Sequence, residues 1–403
     1  MTRNLFYSAI SAGSAGFMLL LLVMAGRWLG VEDFGVFSAA ISLATIAEVF
    51  MDFGLHQVTI RAIARDATRA GHLLRTSLVL KALPGIAMVG VFSVIAFRLR
   101  PEASFRVAAV IMLLSATMRS YLLTARGVLQ GLERFGDDAF VTTADRVVLF
   151  AACAAALVAG ASVVQLSLVF LGVRILTAGT AVVIARRHVG AGAIDRSLWT
   201  SLPAEALPVG LFLLILNLYN RVDSLMLIRL EGERASGLYG AAFPVYEGLT
   251  YATAIISAVL IPRLSRMWVD RSPMYRLLVI RSQVGVFGLA IAVAAAAWPL
   301  AEIGVRIFGE AFAPAAPTLR VLLLGLPFVY VTWILHAVAI AADRPRALLI
   351  VTAIGTVLNV GLNLYLIPRY SYNGAAVATV ISEVVAMSAL IYALRSALYP
   401  KFS

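Results

Sequence analysis

The chain has 403 residues, 61% of them hydrophobic and only 13% charged, with a formal net charge of +12 at pH 7 and a mean hydropathy of +0.93. Soluble domains carry about 25% charged residues, so this composition excludes a soluble globular protein and points to an integral membrane protein. In that setting the basic excess reads as arginines flanking apolar spans on the cytoplasmic side rather than as a nucleic-acid surface, and the single cysteine, Cys153, excludes an intrachain disulfide.

A bilayer crossing needs about 20 apolar residues. Runs of that length begin near Leu5, Val36, Leu78, Val107, Val141 and Val163, and a second six begin near Leu207, Leu238, Val284, Leu319, Leu348 and Ala375. The first run is too long for a signal-peptide core and leads directly into another, so it reads as a retained span. The runs are continuous and lack the polar/apolar alternation of barrel strands. The expectation is therefore an all-α membrane protein of twelve transmembrane helices. The longest inner connection, from Arg186 to Pro203, is the natural linker between two six-helix lobes, residues 1–200 and 201–403. The inner connection from Pro262 to Arg281 is expected to hold a short amphipathic helix, with Arg263, Arg266, Arg271 and Arg276 facing anionic head groups.

The two halves echo each other. At an offset of 202 positions Arg27 meets Arg229, Gly30 meets Gly232, Gly35 meets Gly237 and Phe37 meets Tyr239. Ala39 and Ala40 meet Ala241 and Ala242, Arg61 meets Arg263, and Glu32 meets Glu233 with a shift of one. A fixed offset of half the length is the mark of an internal duplication. The four glycines are expected to let the chain reverse tightly between antiparallel spans.

With the N-terminus inside, twenty basic residues fall on inner segments, among them Arg3, Lys81 and Lys401, and nine fall on outer ones. That bias places both termini in the cytoplasm; the basic outer stretch from Arg98 to Arg106 runs against it. The remaining four, Arg119, Arg146, Arg174 and Arg221, lie within spans.

Catalytic signatures are missing from the sequence. It has no phosphate-cradling G-x-x-x-x-G-K-[ST] loop, no H-E-x-x-H and no G-x-S-x-G. His56, His72, His188 and His336 are scattered, so neither a metal site nor a cofactor is expected, and Glu302 and Glu310 read as solvated loop charges. The expectation is a protein that is not an enzyme.

The chemistry that remains is charge at membrane depth, where an ionisable group costs at least about 2.5–3.5 kcal/mol and faces a cavity or a partner. The acids are Glu48, Asp52, Asp145, Asp223, Glu247 and Glu383; Asn217 and Asn220, with Asn359 and Asn363, add polar faces at helical spacing. Two readings stand side by side. Arg146 beside Asp145, and Arg221 near Asp223, fit ion pairs that lock helices. Taken together, four arginines fit a cationic cavity for phosphate, which the planar guanidinium fork bonds through two oxygens. Arg119 and Arg174 have no acid nearby in sequence and are the better candidates for that role. Glu48 and Asp52, one turn apart, and Asp223 are candidates for ion coupling, or else Glu48 and Asp52 cap the inner loop.

Several stretches carry a resemblance. Arg27-Trp-Leu-Gly-Val-Glu-Asp-Phe-Gly-Val-Phe-Ser38, Asp52-Phe-Gly-Leu55 and Arg61-Ala-Ile-Ala-Arg65 resemble the opening of Wzx-type polysaccharide flippases, of the superfamily that also holds the MATE exporters and the lipid II flippase MurJ. Asp223-Ser-Leu-Met-Leu227, Gly237-Leu-Tyr-Gly-Ala-Ala242, Phe308 to Arg320 and Gly374-Ala-Ala-Val-Ala-Thr379 resemble later junctions of the same family. Twelve spans fit the Wzx or MATE branches better than the fourteen usual in MurJ-like proteins. The resemblance implies a MATE-like alternating-access transporter of the bacterial inner membrane. Its cargo would be an oligosaccharide on undecaprenyl pyrophosphate, used for cell-surface polysaccharide such as lipopolysaccharide or exopolysaccharide. Membrane lipids would surround it, a polysaccharide polymerase or glycosyltransferases would be its partners, and it would act as a monomer. The alternatives are a cation-coupled small-molecule exporter and a non-transporting scaffold for glycosyltransferases.

Overall fold

A computed structural model describes residues 13, 14, 16–190 and 192–399. The expected start of the first span at Leu5, and the bases Arg3 and Lys401, lie outside them. The described residues form helices joined by short turns: α1 (Gly16–Asp52), α2 (Leu55–Arg65), α3 (Ala70–Leu80), α4 (Ala82–Leu99), α5 (Ala103–Gly131), α6 (Phe135–Val158) and α7 (Val163–His188). The chain continues with α8 (Leu198–Leu230), α9 (Glu233–Val269), α10 (Met274–Arg306), α11 (Ala316–Leu323), α12 (Leu326–Ala341), α13 (Pro345–Ala393) and α14 (Arg395–Leu398).

Nine stretches of described helix are long and apolar enough to cross a membrane, and the bent pair ending in α11 and α12 makes a tenth. The longest of these, α1, α9 and α13, each exceed the length of one crossing, and two of the three are broken. At 1.5 Å per residue α1 and α13 would run about 55 and 74 Å, against a hydrocarbon core of about 30 Å. Each is interrupted by a residue with non-helical backbone, Gly30 in α1 and Ser371 in α13. Among the described residues, dividing them there gives twelve helical pieces, one at each expected apolar run, the first of them only the part from Gly16 onward. Helix ends reach beyond the apolar windows: α8, for example, begins at Leu198, nine residues before the run at Leu207.

The duplication is written in the backbone. Gly30 has φ 77° and ψ 178°, and Gly232, 202 positions on, has φ 92° and ψ −170°. Only glycine adopts this region without strain. Phe37 and Tyr239 are both buried, as are Ala39, Ala40, Ala241 and Ala242. Gly35 and Gly237, expected in the turns, instead lie buried inside helices. The halves also differ. After α1 the chain breaks at Phe53 (φ 43°) and Gly54 (φ 80°) before the amphipathic α2, whereas the matching part of α9 is uninterrupted. α2 buries Leu55, Val58, Thr59 and Ile63 and exposes Arg61 and Arg65. It sits against α5, where a Cβ on Gly131 would come 2.7 Å from the Cβ of Ile63.

The amphipathic helix expected between Pro262 and Arg281 is not formed. α9 runs on to Val269, a tight turn with Arg271 at φ 50° follows, and α10 starts at Met274. Trp268 and Tyr275, 5.4 Å apart, close that turn. The apolar residues available there are spent extending the two spans, and the arginines ride on the helix ends.

The chain divides into two compact units, Met1–Arg229 and Leu230–Ser403. In the first, the core includes Leu73, Leu122, Val128, Ala181, Leu198 and Ala206, so the opening turns of α8 belong to it. The segment after α7 is fastened to α3: Asp195 donates its N–H to Thr76 Oγ1 (3.0 Å), and the His72 ring meets the Ala193 carbonyl (3.0 Å). In the second unit α12 is the central helix, with Leu326, Tyr330, Ile334, Leu335 and Val338 buried. A helix that is apolar all round belongs in an interior. Tyr330 donates to the Leu249 carbonyl (2.7 Å), and Ser257 to that of Trp333 (2.9 Å).

Candidate functional site: a charged cluster in the first unit

Helical periodicity brings the embedded charges of the first unit to facing sides of its spans. In α1, Glu48 and Asp52 are one turn apart and share a face. Arg119 Nε donates to Glu48 Oε1 at 2.9 Å. Lys81, at the joint of α3 and α4, donates from Nζ to Asp52 Oδ1 at 2.5 Å and to the Ser120 carbonyl at 3.0 Å. The second oxygen of Asp52 accepts the N–H of His56 (3.3 Å), capping α2. On α6, Asp145 is held by α7, accepting from Arg174 Nη1 and, at 2.8 Å, from Thr177 Oγ1. Arg174 also lies over the Phe170 ring, 5.5 Å from its centroid. Arg126 on α5 makes a two-pronged bond to Asp138 (2.7 and 3.3 Å), which Gln130 joins at 2.9 Å.

This pairing differs from the one that sequence neighbours propose. Asp145 and Arg146 are adjacent, so they point about 100° apart around their helix. The acid meets α7, and Arg146 donates to Ser14 Oγ at 2.7 Å. Arg119 and Arg174, which have no acid close in sequence, each take one from another span. Lys81 was expected in an inner loop; it is instead 2% exposed and inside the third span. Its signal was in the sequence, since it lies within the apolar run that begins near Leu78. Arg126, one of the twenty bases assigned to inner segments, instead joins the fourth span to the fifth through Asp138.

The members differ in openness. Arg174 and Asp145 are closed off, at 5% and 7%, whereas the Arg119 side chain is 46% exposed near the middle of α5. An arginine at that depth facing hydrocarbon would be costly. Elsewhere on α8, Arg221 is partly buried and Asp223 buried, and Asn217 and Asn220 donate to the carbonyls of Leu213 and Leu216 (2.9 Å each). In the second unit Asn363 donates to Asn359 Oδ1 at 2.9 Å, both buried, and Glu383 is buried.

The other candidates have local explanations. Glu302 and Glu310 both pair with Arg306 (2.6 and 3.4 Å). The basic stretch from Arg98 to Arg106 is used locally: Arg106 donates to the carbonyls of Arg100 and Phe97 (3.0 and 3.2 Å), and Arg100 pairs with Glu102 (3.1 Å). Outside the spans, bonds from the Thr68 hydroxyl and N–H hold the Asp66 carboxyl below its ordinary pKa, and Ser197 does the same for Asp195. No group of three or more metal-ligating side chains occurs among the described residues.

Against known proteins, residues 1–268 match the profile of the family described as "Polysaccharide biosynthesis protein", and residues 208–365 match that of the family MatE. No curated protein sequence matches. Among solved structures, the fold is similar to the lipid II flippase MurJ in an inward closed conformation, with a TM-score of 0.79 at 15% identity over 97% of this chain and 87% of that one. It is similar to an inward-facing multidrug resistance MATE family transporter of the MOP superfamily, with a TM-score of 0.76 at 16% identity over 95% and 96%. A MOP superfamily transporter from Pyrococcus furiosus, described by the reverse polarity of its binding pocket, is similar at 0.65 and 17% identity over 98% and 95%. With two-thirds of its length matched by that profile and nearly all of it by those folds, this chain belongs to the polysaccharide biosynthesis protein family and has the fold of the MOP superfamily transporters.

Proposed function

We propose that the protein is a flippase that carries an oligosaccharide linked to undecaprenyl pyrophosphate across the bacterial inner membrane, by alternating access, for cell-surface polysaccharide synthesis. The observation that carries this reading is Arg119, a half-exposed guanidinium at mid-span within a cluster rich in arginine. The family profile over residues 1–268 supports the pathway. Arg119 offers the pyrophosphate a charge-assisted, two-pronged contact, and Arg146 and Arg221 supply further positive potential, while Arg174 is held by Asp145. Contact must stay weak enough for release, so a guanidinium already shared with Glu48 suits a passing cargo better than an unshared one. The lipid tail remains in the bilayer. Sugar-chain polymerase and glycosyltransferases would act on either side of the step, with the protein working as a monomer.

The test is surface glycan output in the host strain carrying Arg119→Ala, at matched protein levels in the membrane. Loss of a charge-assisted bond worth about 1.5–3 kcal/mol predicts at least about a ten-fold fall, and Arg119→Lys, which keeps charge but not the fork, a smaller one. Unchanged output from Arg119→Ala would sink the assignment. A second reading, a cation-coupled small-molecule exporter, is favoured by the MatE match over residues 208–365. It predicts raised accumulation of cationic drugs in a deletion strain whose glycan is intact.

A further inference from the structure

The buried pair of Asp52 and Lys81 has no part in that reading, and its chemistry asks for another account. Lys81 is closed off at 2% exposure and Asp52 at 9%. The ammonium reaches two oxygens, Asp52 Oδ1 at 2.5 Å and the Ser120 carbonyl at 3.0 Å. Two more belong to Ser120 itself and to Ser77, four residues before Lys81. The hydroxyls of Ser77 and Ser120 are buried and bond to none of the described residues. Ser77 is one turn before Lys81 and therefore on its face of the helix. A carboxylate, a carbonyl and hydroxyls are the oxygen set that a hard cation takes, and an ammonium is a compact point charge of the same sign.

We infer that Lys81 is a built-in counter-cation: its ammonium fills an oxygen-lined site for a small monovalent cation, formed by Asp52 and Ser120, so that Asp52 is held permanently neutralised. The site ties three spans. Asp52 ends the last turn of α1 just before the break at Phe53 and Gly54 and caps α2 through His56. Lys81 stands where α3 meets α4, and Ser120 is mid-way along α5. A free cation would make this tie depend on occupancy, whereas a tethered one makes it constant. Asp52, an ion-coupling candidate from sequence, is thereby removed from that role, whatever the cargo.

Removing the tether should expose the site. Thermal unfolding of the purified full-length protein is followed in equal concentrations of choline, sodium or lithium chloride. The unsubstituted protein should unfold at one midpoint in all three. Lys81→Ala leaves both charge and space wanting; its midpoint should fall in choline and recover by at least about 3 °C in sodium or lithium. Lys81→Met fills the space with a neutral chain and should not respond, and neither should Asp52→Asn/Lys81→Ala, which has no charge to balance. A Lys81→Ala protein indifferent to the cation, or a Lys81→Met protein that responds equally, overturns the inference. So does recovery of folded Asp52→Asn/Lys81→Ala when Lys81→Ala folds in no salt, since the free cation then fails to replace the ammonium. Failure of both to fold counts against it too, because the double variant has no buried charge left to neutralise and its loss cannot be ascribed to a missing counter-cation.

Discussion

Arg119 and Arg174 look alike in sequence, each a lone arginine in an apolar run, yet the fold gives them opposite settings. Arg174 is closed in with Asp145, Thr177 and the Phe170 ring, while Arg119 is shared with Glu48 and open. Removing one partner of a buried pair strands the other charge and costs about 3–5 kcal/mol. Arg174→Ala should therefore lower the amount of folded protein in the membrane, and Asp145→Asn/Arg174→Met should recover much of it. Arg119→Ala should leave abundance near normal. Quantitative immunoblots of membranes with thermal-shift midpoints decide it. Normal Arg174→Ala abundance with lost export would make Arg174 a cargo ligand instead. The embedded charges themselves were legible, because an ionisable residue in an apolar run stands out. Their partners were not. Neighbours in sequence diverge around a helix, and the acid that meets Arg174 is 29 positions away on another span.

At the scale of elements, hydropathy alone finds the twelve runs, and the offset of 202 finds the repeat. Which glycine makes each turn takes the backbone to decide. Gly30 and Gly232 hold positive φ with extended ψ, a region where a side chain costs about 1–3 kcal/mol. Around Gly30 a Cβ would meet nothing within 4 Å, so any penalty there is conformational rather than steric. Gly30→Ala and Gly232→Ala should each lower the unfolding midpoint. Ala at Gly35 or Gly237, inside helices, replaces a poor helix former by a good one, and packing alone sets its cost. Equal losses at all four positions would place the strain elsewhere. The breaks at Phe53 and Ser371 and the helix α2 escape a hydropathy reading. Positive φ is uncommon without glycine, and an 11-residue amphipathic segment is too short to register as a span.

For the whole molecule, burial of Lys81 revises the charge count on which orientation rests: it leaves the twenty inner bases, and nine remain outer. The bias survives, and the local bonds of Arg100 and Arg106 account for bases on the disfavoured side. We propose on this basis that both termini are cytoplasmic. The repeat supplies a second, independent constraint. Six spans separate Glu32 from Glu233, and an even number of crossings returns the chain to the side it left. Single cysteines at these positions, in a Cys153→Ser background, should both react with an impermeant maleimide applied to intact cells. Cysteines at Arg69 and Arg271, exposed in the turns at the other ends of the same spans, should react only after permeabilisation. The four positions separate the two arguments. If Glu32 and Glu233 label together but from the cytoplasm, the charge bias has misled and the repeat stands. If they label from opposite sides, an odd number of crossings lies between them, and the division of α1 at Gly30 or one of the next five spans is wrong.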